Sequence, residues 1–372
     1  MSIETLLYAY LFICSGMILF NIVTAIVLKH RDRRTVQVSG RFLRQIRRQI
    51  QRLAEGQPVE ERHKKYLTRS LNRVGNMIAF DKMLEQLYRE NPQQAADYLS
   101  QLGGVIVYLT MRYGRKDSVE AAYFPYIIKK YRLIENRPFS GVVDAMYTLL
   151  REPSIYCREN AMQALYTTGD CDCIIKALKI IDGSDRFFHE KLLADGLLEF
   201  TGDREALGQR IEESFAGFTP EMQVALINYL RLDSDGHCAF ALELLRNRDT
   251  DHEVRYACIR YLGRYRYQPA YALLLELAEY RGNAYWEYAA IASTALGSYP
   301  GEATVARLKA NLCSPNWYIR FNAAQSLERL GLTYVDLMDV MDGNDRYATE
   351  ILQYRFDIKN LEEREAAPVC TN

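Results

Sequence analysis

The sequence predicts an all-α protein: an N-terminal transmembrane helix, a helical adaptor, and an α-solenoid (an α–α superhelix) of about six to seven helical hairpins. Three observations predict it. Residues 6–28 form a run of 23 residues without a charge. Between Ser154 and Leu327, six segments repeat one pattern about every 32 residues. The stretches between those segments carry helical apolar spacing with the same period. The resulting division is a span over 6–28, a basic juxtamembrane amphipathic helix over 29–57, and a helical adaptor or cap over 58–138. The solenoid follows over 139–357, and a disordered tail over 358–372.

The first run, LLYAYLFICSGMILFNIVTAIVL (Leu6–Leu28), matches the roughly 20 apolar residues that a helix needs to cross a bilayer. Ser15, Asn21 and Thr24 are tolerable there because they bond within the helix or to a neighbour. A secretory signal would place its basic end before the apolar run and a small-residue cleavage site after it. Here the basic residues follow the run. The positive-inside rule therefore predicts a single-pass protein of the cell membrane, with Met1 outside and the body in the cytoplasm. The chain holds 47 basic and 47 acidic residues. Residues 29–52 hold nine basic and one acidic, which leaves 38 basic against 46 acidic elsewhere. A basic collar thus stands beside an acidic body. Phe42, Ile46, Ile50 and Leu53 share one face of the collar. Arg33, Arg34, Arg41, Arg44 and Arg48 are candidates for anionic lipid headgroups, each contributing about 1 kcal/mol. The alternative is that the arginines only set topology and the apolar stripe packs on the next helix.

Residues 58–135 are helical but outside the repeat. A long helix is expected from Glu60 to about Glu90, stopped by Asn91-Pro92. A second is expected from Gln93 to Tyr113, and a third from Ser118 to Leu133 with a kink at Pro125. Leu67, Leu71, Val74, Ile78, Leu84 and Leu87 supply an apolar stripe. This region reads as a stalk between membrane and solenoid, or as the cap that the open end of a repeat array requires.

The repeated segments end on Leu165, Leu198, Leu230, Leu262, Leu296 and Leu327, at steps of 33, 32, 32, 34 and 31 residues. Ser154, Thr219, Asp251 and Asn316 open four of them with side chains that cap helix N-termini. Phe187 and Tyr285 open the other two, where Asp185 and Asn283 are substitute caps. Four residues on come Arg158, Lys191, Gln223, Arg255, Ala289 and Arg320. Three further on, the mostly small residues Ala161, Ala194, Leu226, Cys258, Ala292 and Ala323 permit close helix approach. Intervening segments such as CDCIIKALKII and QPAYALLLELAEY supply a second helix per unit. Each hairpin leaves an apolar face that only stacking on its neighbours buries.

Asp251–Gly263 (DHEVRYACIRYLG) and Asn316–Leu327 (NWYIRFNAAQSL) resemble HEAT repeats of the bacterial subtype related to phycobilin-lyase HEAT repeats. The pattern there is Asp or Asn, then Val-Arg, paired small residues and Leu. The resemblance covers roughly residues 141–357 and weakens in units two and three. It implies an arginine that bonds the preceding turn, a structural ladder of Arg158, Arg255 and Arg320. It also implies a class of protein that holds other molecules.

Chemistry-bearing motifs are scarce. The five histidines form no metal or nucleophile spacing, and no Gly-rich phosphate loop occurs. The eight cysteines make no zinc pattern, Cys171 and Cys173 included, and are expected as free thiols. No catalytic residue, cofactor or metal is therefore expected, and the chain is not expected to be an enzyme. Aromatic residues are the stronger lead. Trp286 and Trp317 follow the cap position in two units, with Phe188 and His252 in the same column. Such a row grips a partner or serves as a hydrophobic staple closing each hairpin. Tyr256, Arg260, Phe321 and Gln325 are expected to face away from the core. With Trp286 and Trp317 they are the candidate partner-binding residues. The expected function is a membrane-anchored scaffold for a protein partner, such as a membrane enzyme complex of the polysaccharide-synthesis kind. A bilin-lyase-like or other small-ligand role is the alternative that the resemblance allows. Nucleic-acid binding is a third, and the acidic body argues against it.

Overall fold

The computed structural model describes residues 3–116, 118–135, 140–184, 188–280 and 282–366. The chain forms two compact units, residues 1–186 and 187–372. Among the described residues every regular element is helical, as the period requires.

In the first unit, α1 (Ile3–Ala54) is one unbroken helix. The span and the basic collar are therefore not separate elements. No proline interrupts them, and the helix ends only at Gly56, whose φ of 76° closes the C-terminus with Gln57 N–H donating to the Arg52 carbonyl. The apolar part of α1 is exposed, with Phe12, Met17 and Phe20 each more than 60% accessible. It is the one stretch of the described residues long and apolar enough to cross a membrane.

The collar's apolar stripe has a different fate from headgroup contact. Phe42 and Ile46 are fully buried, and Phe42 packs edge-on against Phe80. The partners are α2 (Glu61–Ser70) and α3 (Val74–Glu90). The expected single helix from 60 to 90 is thus two, broken at Leu71–Arg73, where the Asn76 amide donates to the Ser70 carbonyl. The second expected helix is also two, α4 (Pro92–Ser100) and α5 (Gly103–Tyr113). The Asn91 side chain caps α4. Next come α6 (Ser118–Lys130), α7 (Ser140–Leu149), α8 (Ile155–Tyr166) and α9 (Cys171–Asp182). Helix α6 carries Pro125, and Arg132, two residues past its end, has φ 48°, a conformation a glycine usually takes.

The second unit is hairpin on hairpin. Its first helices are α10 (Glu190–Leu197), α11 (Arg204–Ser214), α12 (Pro220–Asp233) and α13 (Cys238–Arg246). They continue as α14 (His252–Arg264), α15 (Tyr271–Leu277), α16 (Trp286–Leu296) and α17 (Glu302–Leu312). The last are α18 (Trp317–Arg329), α19 (Met338–Met341) and α20 (Arg346–Ala366). Helices α10, α12, α14, α16, α18 and α20 pack each on the next, while α13, α15 and α17 back onto α14, α16 and α18. This is an α-solenoid. Ala194, Leu226, Cys258, Ala292 and Ala323 are at most 2% exposed, as are Leu230, Leu262, Leu296 and Leu327. The small column admits close approach: a Cβ on Gly263 would lie 2.8 Å from the Ala295 backbone of α16. Thr219, Asp251 and Asn316 cap their helices, but Ser154 makes no side-chain cap. His189 caps α10, while Asp185 lies outside the described residues. Tyr285 precedes α16 without a side-chain cap. The tail is not the expected coil from 358 on. Helix α20 continues through Ala366.

Candidate functional site

The arginine column faces the turns between hairpins. Arg158 Nη1 donates to the carbonyls of Glu152 (3.0 Å) and Pro153 (2.9 Å). Arg320 Nη1 donates to the Ser314 carbonyl at 2.6 Å, and Arg255 Nε to that of Leu245 at 3.2 Å. Where the arginine is replaced, the Gln223 amide makes the equivalent bond to the Phe215 carbonyl at 3.1 Å. Lys191 is exposed.

The aromatic column lies at the N-terminal ends of α14, α16, α18 and α20 and forms a connected row. His252 Nδ1 is 2.9 Å from the Tyr288 hydroxyl. Arg255 sits 4.9 Å over the Tyr288 ring. Trp286 stacks on Tyr318 (5.3 Å, 27°), and Trp317 stacks on Phe321 (5.0 Å, 20°). Arg355 lies 5.6 Å over Phe321 and pairs with Glu328 at 2.8 Å, while Arg320 lies 5.2 Å over Tyr347. Trp286 also packs on a core of Ala289, Ala290 and Ile319. One side of the row is thus held by the solenoid. The other is open: Tyr285, Trp317, Tyr318 and Tyr347 are 54%, 49%, 56% and 65% accessible.

Not every candidate belongs to the row. Tyr256 does not face outward. It is 8% exposed, because its ring packs edge-on against Tyr288 at 4.7 Å. Burial, then the Glu287 and Glu253 carboxylates, push its hydroxyl up to about 12. Arg260 and Gln325 are exposed. Arg260 lies within electrostatic range of Arg231, as does Arg264. Of the collar arginines, Arg33 and Arg34 fall about 9 Å or less beyond Leu28, at 1.5 Å per residue of helix. Arg41, Arg44 and Arg48 fall about 20–30 Å beyond it along the same helix. Phe42 and Ile46 are buried against protein, so the apolar stripe packs on the neighbouring helices, the alternative arrangement for this stripe.

Sequence reasoning missed one polar centre in the first unit. Asp81, buried on α3, accepts from Lys130 Nζ (2.7 Å), Tyr131 OH (2.6 Å) and Tyr123 OH (2.9 Å). Lys130 also reaches Glu85 at 2.6 Å. Burial opposes its charge, but the two carboxylates outweigh it and hold its pKa above the ordinary lysine value. Beside it lies a cavity of about 560 Å³ lined by Tyr88, Leu99, Ile106, Lys130, Tyr131 and Arg132. The only sequence signal was Asp81 and Glu85 four apart on a helix face. Among the described residues no cluster of His, Cys, Asp and Glu is arranged to hold a metal.

No family model matches the chain, and no curated protein matches it. Among solved structures, human deoxyhypusine hydroxylase in complex with glycerol is similar at 16% identity and a TM-score of 0.28, over 81% of this chain and 97% of that one. An engineered protein is similar at 15% identity and a TM-score of 0.33, over 79% and 93%. At this level the likeness concerns an all-helical repeat fold and nothing finer. The expectation that the chain is not an enzyme is withdrawn, since a helical-repeat architecture by itself is no ground for excluding catalysis.

Proposed function

We propose that this chain is a membrane-anchored helical-repeat scaffold whose aromatic edge at α16, α18 and α20 holds a protein partner. The observation that carries the reading is the half-open row Tyr285, Trp317, Tyr318 and Tyr347. Its rings are held from behind by stacking and by Arg320 and Arg355. Trp and Tyr dominate binding hot spots because they bury much area with few rotatable bonds. Rings already locked lose little further freedom on binding, so more of the contact energy appears as affinity. In this reading the apolar part of α1 spans the cell membrane, Met1 lies outside, and both units lie in the cytoplasm. Tethering restricts the search to the membrane surface and favours a membrane-associated partner.

The test is site-specific photo-crosslinking in cells from positions 318 and 347, followed by mass spectrometry. One protein adduct recurring from both positions, and lost with Trp317→Ala, is expected. Adducts no more frequent than from an exposed control position such as 210 would sink the proposal. A reporter fused after Asn372 that worked only outside the cytoplasm would reverse the orientation.

A further inference from the structure

Three guanidinium groups in the second unit converge without an acid. Arg231 lies in the last turn of α12. Arg260 and Arg264 lie one turn apart near the end of α14, which packs on α12. None of the three has a carboxylate partner among the described residues. Arg264 instead lies against the Tyr265 ring at 5.6 Å, and the Tyr265 hydroxyl donates to the Arg231 carbonyl at 3.0 Å. That bond holds the end of α14 onto α12. The Arg231 Nε–H is buried and has no hydrogen-bond partner. Burial and then the Arg264 and Arg260 charges act together to lower its pKa.

Such an arrangement is unfavourable for an unliganded protein. Like charges four residues apart on a helix destabilise it. A buried donor left unmade loses its hydration without return. Arg210 and Arg346, also on the second unit, each have a carboxylate one turn away, Glu213 and Glu350. An anion over the outer guanidinium nitrogens neutralises the cluster, while the buried Nε–H lies out of its reach. Guanidinium forks match the oxygens of a tetrahedral oxyanion. We propose that Arg231, Arg260 and Arg264 form a binding site for a phosphate-type oxyanion, separate from the aromatic edge. The shared chemistry is the phosphoryl group, either as free phosphate or carried by another molecule.

The test compares the full chain in neutral detergent with three variants: Arg231→Met, Arg260→Gln and Arg264→Gln. Both tryptophans of the chain, Trp286 and Trp317, lie in the second unit. Their fluorescence therefore follows the unfolding of that unit. In chloride, each variant is expected to unfold at the same temperature as the wild type or higher, because like-charge repulsion is relieved. When inorganic phosphate replaces chloride at constant ionic strength, the wild type is expected to gain a saturable rise in midpoint. The phosphate midpoint is expected to move at least tenfold upward in each variant, and to be partly restored by Arg260→Lys. A phosphoserine peptide that binds at least tenfold tighter than phosphate would assign a carried phosphoryl group, and equal binding would assign the free anion. The inference is overturned if phosphate shifts wild type and variants alike, or if the variants are destabilised in chloride. Neither result depends on the partner-binding edge, which Trp317→Ala tests separately.

Discussion

Single residues decide how closely the hairpins approach. Gly263 faces the Ala295 backbone of α16, which has no rotamer to yield. Gly263→Ala is expected to cost about 1–3 kcal/mol by overpacking, read as a lower urea midpoint in tryptophan fluorescence. Arg132 carries the opposite expectation. It follows α6 in a left-handed conformation, and its ion pair with Glu135, at 3.3 Å, is exposed. Arg132→Gly should relieve roughly 1 kcal/mol of strain and lose little from that pair. A lower midpoint would show that its side chain contributes more than the geometry shows. His63 is buried on α2, 2.7 Å from the Tyr98 hydroxyl. Burial, only partly opposed by Glu60, lowers its pKa from 6.5 to about 4. The unfolded chain therefore binds a proton that the folded one refuses between those values. Stability of the first unit is expected to fall as pH drops from about 6.5 to about 4. His63→Gln should flatten that slope in a far-UV denaturation series.

Among the elements, the longest stretch in which sequence and structure differ is α1. Charge patterning divides span from collar, but backbone hydrogen bonding does not follow charge, and nothing between Leu28 and Arg52 breaks a helix. The boundaries within 58–113 were misplaced for a related reason. Apolar periodicity runs through both interruptions; the turn at Leu71–Arg73 contains no proline or glycine, whereas Gly103-Gly104 directly after Gln101–Leu102 is a breaker signal in the sequence. Caps were more legible, because an Asn or Asp before an apolar run has a local role. Asn316 accepts from the Tyr318 N–H at 2.8 Å at the start of α18. Asn316→Ala is expected to cost about 1 kcal/mol. It should also loosen the Trp317–Tyr318 end of the row, seen as a change in tryptophan emission before unfolding.

Over the whole molecule, the two units have different internal logic. The second is a stack of nearest-neighbour contacts, so stability is the sum of repeat and interface contributions. The first is tied together by contacts between residues far apart in sequence, centred on Asp81. Asp81→Ala is expected to cost about 3–5 kcal/mol, because it leaves Lys130 and two tyrosine hydroxyls short of their shared acceptor. Acidic unfolding monitored by far-UV circular dichroism should show the loss. The tryptophan signal, which follows the second unit, should move less.

The repeat was readable because it is local chemistry written several times over. The small and leucine columns, the caps and the turn-facing arginines recur at one spacing, and burial follows from it. The apolar run of α1 was readable for the same reason, since length and absence of charge are properties of the chain alone. What the sequence withheld depends on which side chains meet across distance. Tyr256 stands one turn beyond the repeat column that Trp317 occupies, yet it is shut against Tyr288 of the next helix while Trp317 stands open. Arg231 and Arg264 are 33 positions apart, and nothing in either segment announces that they share one uncompensated field. Periodicity sets the faces of helices. Packing between them decides which faces are covered and which charges are paired.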